Sequence, residues 1–309
     1  MSLLILAGPT ASGKSAVAVE LAVRIGAEII AADSMQVYRG LDILSAKPSA
    51  TDRARVPHHC LDIASISEDF TVAQWLASAR AATNSIRGRG RVPLVVGGTG
   101  LYIRALRFGL DPNPPTPPQL RDALSARSLP DLVTELRQAD PEAAERIDLR
   151  NRRRVERALA IALQGSPSTP ASWATAPEPF TLVILRRDPH HLRARIEARV
   201  DAMFEAGAID EVRRLKAAGL RPGATASQAL GIRQIEEFLA GRCAEPDARA
   251  SLTTATRQFA KRQMTWFRRE TGTLWLDVPP DELPTHTAAR IVPEWAPGSE
   301  WARGSALDS

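Results

Sequence analysis

"GPTASGKS", residues 8–15, decides the fold, because a short apolar run, Leu3–Leu6, precedes it and an Ala-, Val- and Leu-rich stretch, Ser15–Ile25, follows it. Strand, glycine loop and helix in that order make a P-loop, G-x-x-x-x-G-K-S. Glycines let backbone N–H groups point at phosphate oxygens, so Gly8, Pro9, Thr10, Ala11, Ser12 and Gly13 form a phosphate cradle. Lys14 adds a charge, and the Ser15 hydroxyl can ligate Mg²⁺. By itself the stretch says phosphate without saying whose.

Outward from the loop, apolar runs recur at Ala27–Ala32, Val92–Val96, Thr181–Leu185 and Thr273–Leu276, with helical patterns between several of them. This alternation predicts an α/β protein with a P-loop NTPase-like parallel sheet flanked by helices. The proline-rich "DPNPPTPPQ" (111–119) and "GSPSTPASWATAPEP" (165–179) interrupt it, and Leu120–Leu163 between them is helical in pattern with no strand candidate. The expected organisation is a core over 1–121 and 180–292, an all-helical insertion domain over 122–179 and a loose tail over 293–309.

The 309 residues are 44% apolar, as in a soluble globular protein. No run approaches the ~18 apolar residues of a membrane span, and "MSLLILAGPT" lacks a basic start and a cleavage site, so a cytoplasmic protein without membrane contact is expected. Cys60 and Cys243 have no C-x-x-C partners and read as ordinary reduced thiols. His58, His59 and Cys60 lie in an extended segment whose side chains alternate in direction, which argues against a shared metal. A net charge of +5 favours an anionic partner such as nucleic acid or a phosphorylated metabolite. A monomer is the expectation, because no exposed apolar stripe asks for a partner.

The run "AEIIAAD" ends in an acid, Asp33, which places a carboxylate at a strand's carboxyl end beside the P-loop strand, where doubly wound sheets bind ligands. Asp33 there serves a metal or an acceptor hydroxyl in a kinase, or caps a turn. In "HLRARIEARVDAM", Arg195 and Arg199 stand one helical turn apart and offer two guanidinium groups to phosphate. In "LRNRRRVERALAIAL" (149–163), Arg150, Arg153, Arg154 and Arg157 share one helix face, and Val155, Ala158, Leu159 and Ala162 the other. That basic face suits a phosphate backbone or plain solvent. In "RQFAKRQMTWFRR" (257–269), Arg257, Lys261 and Arg268 oppose Phe259 and Trp266, which read as core anchors. Guanine-reading motifs are absent from the sequence. Residue chemistry alone leaves open a small-molecule P-loop kinase and a nucleotide-switched RNA-binding protein.

"ADSMQVYRGLDILSAKPS" (32–49), "VPHHCLDI" (56–63), "VVGGTGLYIRAL" (95–106) and "RQFAKRQMTWFRR", in that order after the P-loop, closely resemble the tRNA dimethylallyltransferase family from about residue 3 to residue 277. The resemblance implies transfer of a dimethylallyl group from dimethylallyl diphosphate to N6 of the adenosine just 3′ of the anticodon, in tRNAs reading codons that begin with U. Mg²⁺ is the implied cofactor, held through Ser15, and the P-loop with Arg195 and Arg199 holds the diphosphate. By resemblance Asp33 abstracts the N6 proton, and Thr99 contacts the bridging diphosphate oxygen. Ser34, Met35 and Gln36 match the segment that meets the target base, together with Asp33 and Thr99. Further tRNA contacts are implied at Arg121 near the site's entrance and at Arg153, Arg154, Val155, Glu156 and Arg157. "SQALGIRQ" adds Gln228, Gly231 and Arg233, and the last motif adds Lys261, Arg262, Gln263 and Arg268. Ser45 stands where relatives usually carry Thr, and Ile232 where an aromatic is common. The chain shows no C-terminal zinc-binding extension, which resembles bacterial members.

Overall fold

A six-stranded, wholly parallel sheet carries the core, in the order β3-β2-β4-β1-β5-β6. A computed structural model describes residues 3–110, 113, 115–165, 180–221 and 225–295. The first half of the core runs β1 (Leu3–Ala7), α1 (Lys14–Ile25), β2 (Ala27–Ala32), α2 (Ala50–Arg55), β3 (His58–His59), α3 (Val72–Gly88), β4 (Val92–Gly97) and α4 (Gly100–Phe108). Four helices follow: α5 (Pro118–Ser125), α6 (Leu129–Ala139), α7 (Pro141–Arg146) and α8 (Arg152–Leu163). The chain returns through β5 (Phe180–Arg186), α9 (Pro189–Glu205), α10 (Ala208–Ala217), a 3₁₀ turn (Thr225–Gln228), α11 (Ile232–Leu239), α12 (Glu245–Phe267), β6 (Thr273–Asp277) and α13 (Pro284–Trp295). The α/β reading of the sequence is thus the observed architecture.

The strands are continuous apolar runs because both faces of the sheet are covered. Ile5, Ala7, Ile30, Val95, Leu182 and Ile184 face one apolar cluster, and their neighbours Leu4, Leu6, Ile29, Leu94, Val183 and Leu185 face a second. α1 and α13 close the second layer through Val17, Leu21, Ala288 and Ile291. Among the described residues no helix is long and apolar enough to cross a membrane.

One expectation is corrected. The strand that ends at Asp33 does not lie beside the P-loop strand, since β4 enters between β2 and β1. The insertion is what brings the "GGTG" turn after β4 into the middle of the sheet's carboxyl edge. Gly97 makes this possible, because a Cβ there would stand 2.0 Å from the Ala32 carbonyl oxygen.

The chain divides into two compact units, 108–176 and the remainder, so that the helical unit begins ahead of the proline-rich run, and α5 runs across residue 121. In the helical unit, Leu124, Leu132, Leu136, Val155 and Leu159 form its own core. The tail expected over 293–309 and the linker 165–179 lie almost wholly outside the described residues.

Candidate active site

Three loops meet at the carboxyl edge of the sheet: the P-loop after β1, the Asp33 segment after β2 and the Gly98–Thr99 turn after β4. Hydrogen bonds tie them together. The Ser34 amide donates to Thr99 Oγ1 at 3.0 Å, and the Thr99 amide donates to the Ala32 carbonyl at 3.2 Å. The Asp33 carboxylate accepts from the Met35 amide at 2.9 Å through Oδ1. Gln263, from α12, accepts from the Thr10 amide at 2.8 Å and donates to the Gly98 carbonyl at 2.9 Å.

Two arginines hold carbonyls of the P-loop. Arg195 Nε donates to the Ala11 carbonyl at 2.8 Å, and Arg187 Nε to the Ser12 carbonyl at 2.7 Å. Ala11 at φ 61° and Gly13 at φ 92° supply the loop's left-handed turns. The first helical amide to reach a carbonyl is that of Val17, which donates to Gly13 at 3.2 Å. The amides of Lys14, Ser15 and Ala16 therefore head α1 without an intrahelical acceptor, and the helix dipole adds partial positive charge. Such an arrangement is a nest for phosphate oxygens. Ser12 Oγ is fully buried and has no hydrogen-bond partner among the described residues.

Cations crowd this nest. Burial, with the Arg199 charge second, pushes the Lys14 ammonium down to about 8, while Asp33 opposes the shift. Burial also lowers Arg199, again against the pull of Asp33. Arg187 is lowered by burial and then by the neighbouring Arg195 charge. Like charges desolvated together around one carboxylate leave the site short of negative charge, which an incoming polyanion supplies.

The site residues named from the sequence distribute unevenly. Gln36 Nε2 donates to the carbonyls of Ser45 and Ala46 at 3.2 and 3.1 Å, fixing the amide's orientation. Ser45 is itself buried and donates to the Leu41 carbonyl. In the core unit, Gln228, Arg233, Lys261, Arg262 and Arg268 are exposed, whereas Gly231 and Gln263 are buried. Ile232 belongs to the core, so its side chain offers no stacking platform. Trp266 packs against the core as expected, while Phe259 is half-buried with the Arg262 guanidinium over its ring.

In the helical unit, α8 starts at Arg152, so Arg150 falls in the preceding turn, where it pairs with Asp148, rather than on the helix face. Asn151 caps the helix there by accepting from the Arg154 amide, which is the local reason for the late start. Arg121, Arg153 and Arg154 are exposed; Val155 is buried; Glu156 pairs with Arg152 at 2.7 Å. Arg157 donates to Thr116 and to the Asn113 carbonyl.

Sequence reasoning passed over three residues that build the site. Arg187 ties the P-loop to the Pro279 carbonyl as well as to Ser12. Its signal was its place just past an apolar strand run, the position Asp33 occupies after β2. Glu211, on α10, is 1% exposed and accepts from the amides of Asp42, Ile43 and Leu44 at 2.6, 2.7 and 2.9 Å. Lys47 holds Asp42, Asp62 and the Tyr38 carbonyl at 2.7, 2.5 and 2.6 Å. These two give the 36–47 segment its rigidity.

The pattern of the family described as IPP transferase matches residues 36–270, most of the chain. The chain belongs to the IPP transferase family. A relative from Citrifermentans bemidjiense, named tRNA dimethylallyltransferase 1, is 43% identical over 90% of this chain and 93% of its own. A tRNA dimethylallyltransferase from Acidothermus cellulolyticus is 44% identical over 94% and 93%. Among solved structures, the full-length tRNA isopentenylpyrophosphate transferase of Bacillus halodurans is 34% identical, with TM-score 0.72 over 99% of this chain and 98% of that one. A eukaryotic dimethylallyltransferase solved acting on tRNA is 26% identical, with TM-score 0.80 over 95% and 79%. Within the IPP transferase family, then, the P-loop of this chain serves a transferase.

Proposed function

We propose that the protein transfers a dimethylallyl group from dimethylallyl diphosphate to N6 of the adenosine 3′ of a tRNA anticodon, releasing diphosphate. The observation that carries this reading is the cation-crowded nest, with Lys14 and Arg199 desolvated beside Asp33, whose neighbour Ser34 donates its amide to Thr99. Relatives named for the same activity over nearly the whole chain support it.

An adenine amino group is a weak nucleophile, because its lone pair is delocalised into the ring. Activation of the leaving group must therefore lower much of the barrier. The amides at the start of α1, with Lys14, Arg195 and Arg199, hold the diphosphate and stabilise the charge that grows as the allylic C–O bond breaks. Thr99 meets the bridging oxygen, N6 attacks the allylic carbon, and the Asp33 carboxylate takes the proton that N6 releases. Gln36 and its neighbours Ser34 and Met35 orient the base.

The residues present fit a hard divalent cation. The Ser15 hydroxyl is exposed and makes no hydrogen bond among the described residues, and no cluster of three His, Cys, Asp or Glu side chains there builds a protein cage. Mg²⁺ suits such a site, taking most of its ligands from substrate phosphates and water. Bound through Ser15, it would neutralise charge on the leaving diphosphate. Exposed Arg153 and Arg154 on the helical unit, and Lys261, Arg262 and Arg268 on the core, are the cations offered to the tRNA backbone. The same reading takes the protein as a cytoplasmic monomer.

Asp33→Ala tests the assignment of the base. It should keep diphosphate and tRNA binding and lower turnover by ~10²- to 10⁴-fold. Unchanged turnover removes Asp33 from that role.

A further inference from the structure

We infer that Gln263 is a positioning residue for the diphosphate and for Thr99, and not a contact to RNA; the inference rests on the prenyl-transfer reading of the site. Its side chain is 7% exposed, and both ends of the amide are occupied by groups far away in sequence. The oxygen accepts from the Thr10 amide in the P-loop, and the nitrogen donates to the Gly98 carbonyl, next to Thr99. The orientation is unambiguous, since an amide proton needs an acceptor and a carbonyl needs a donor. The fit leaves no slack: a Cβ at Gly98 would lie 2.3 Å from Gln263 Nε2, and one at Gly100 2.2 Å from the Trp266 ring.

α12 therefore clamps the P-loop and the Gly98–Thr99 turn together from behind. The same turn of helix bears Lys261 and Arg262 on its exposed side. One rigid element thus carries the cations offered to the tRNA backbone on one face, and on the other the amide that sets the distance between leaving group and Thr99. A glutamine is the residue for this task, because it alone among side chains of its length has an acceptor and a donor at one end without charge. Asparagine falls short of both partners by a methylene.

The test compares Gln263→Met, which keeps the volume and loses both hydrogen bonds, Gln263→Glu, which keeps the acceptor toward Thr10 and loses the donor toward Gly98, and Lys261→Ala. Three quantities are read: binding of inorganic diphosphate with Mg²⁺ to the free protein, tRNA affinity against salt, and kcat with KM for each substrate. Gln263→Met should weaken diphosphate binding about tenfold and lower kcat by ~10- to 100-fold, the scale of a misplaced reacting group. Its tRNA affinity should stay within about twofold of the parent's, with the same salt slope. Gln263→Glu should recover diphosphate binding more than kcat. Lys261→Ala should do the reverse, losing tRNA affinity and about one unit of salt slope while keeping the binding of inorganic diphosphate to the free protein. If Gln263→Met does not fold, Gln263→Glu carries the comparison. Weakened tRNA binding with intact diphosphate binding and kcat, or no change in any quantity, overturns the inference. Diphosphate binding is read without tRNA, so failure of the prenyl-transfer reading would show separately, as an absence of product from the parent protein.

Discussion

Removing the charge of Glu211 should loosen the segment that orients Gln36. Glu211 is 1% exposed, and its carboxylate is the acceptor for three successive amides, of Asp42, Ile43 and Leu44. In Glu211→Gln one oxygen becomes an NH₂ group facing a backbone N–H, so one buried donor loses its acceptor and the remaining bonds lose their charge assistance. An unpaired buried donor costs about 1–3 kcal/mol and lost charge assistance about another 1, giving a destabilisation of about 2–4 kcal/mol. Glu211→Ala orphans all three amides, and water entering the cavity restores only part, so about 3–5 kcal/mol is expected. The loop so freed includes Ser45 and Ala46, whose carbonyls orient Gln36. KM for tRNA should therefore rise severalfold while diphosphate binding, on the other side of the site, stays unchanged. Urea unfolding followed by tryptophan fluorescence reports on the core directly, since Trp75 is fully buried there. A Glu211→Gln protein within about 0.5 kcal/mol of the parent, with unchanged KM, would show that this carboxylate does not hold the segment.

With the Lys14 ammonium at about 8, its charge is complete below that pH and lost above it, so the Kd for diphosphate should rise about tenfold between pH 7 and pH 9 by titration calorimetry. Lys14→Met should bind weakly and lose that pH dependence; a parent protein that binds equally across the range contradicts the assignment. Arg187→Lys can satisfy the Ser12 or the Pro279 carbonyl but not both, so diphosphate should bind about tenfold more weakly with little change in tRNA affinity, measured by fluorescence anisotropy. Gly97→Ala drives a methyl into the Ala32 carbonyl, and unfolding measurements should show a loss of about 3 kcal/mol as β2 and β4 part.

The strands were legible because those inside the sheet are buried on both faces and so read as unbroken apolar runs. Ala27–Ala32 is found where it was expected, and the other four runs extend by a residue or so at an end. β3 escaped notice because two histidines carry no apolar signal; His59 instead pairs with Glu28 at 2.7 Å. Strand order is set by where crossovers land, not by the strands themselves, which is why β4 between β2 and β1 had to be seen. P-loop, Asp33 and Thr99 were readable as motifs. Arg187, Glu211 and Gln263 draw their roles from partners between 92 and 253 residues away, a relation that local pattern does not carry. Arg150 and Arg157 show the same limit in the helical unit: the cap at Asn151 leaves the exposed Arg150 ahead of α8, and the Asn113 carbonyl engages Arg157.

In the proposed reaction the P-loop holds a leaving group and not a nucleotide to be hydrolysed. This is tested by incubating the protein with Mg²⁺, dimethylallyl diphosphate and unmodified tRNA, without ATP, then quantifying diphosphate, orthophosphate and the nucleosides of the digested tRNA. N6-dimethylallyladenosine and diphosphate should form in equal amounts, with no orthophosphate. A requirement for ATP, a phosphorylated product, or diphosphate release with no prenylated adenosine would contradict this reaction.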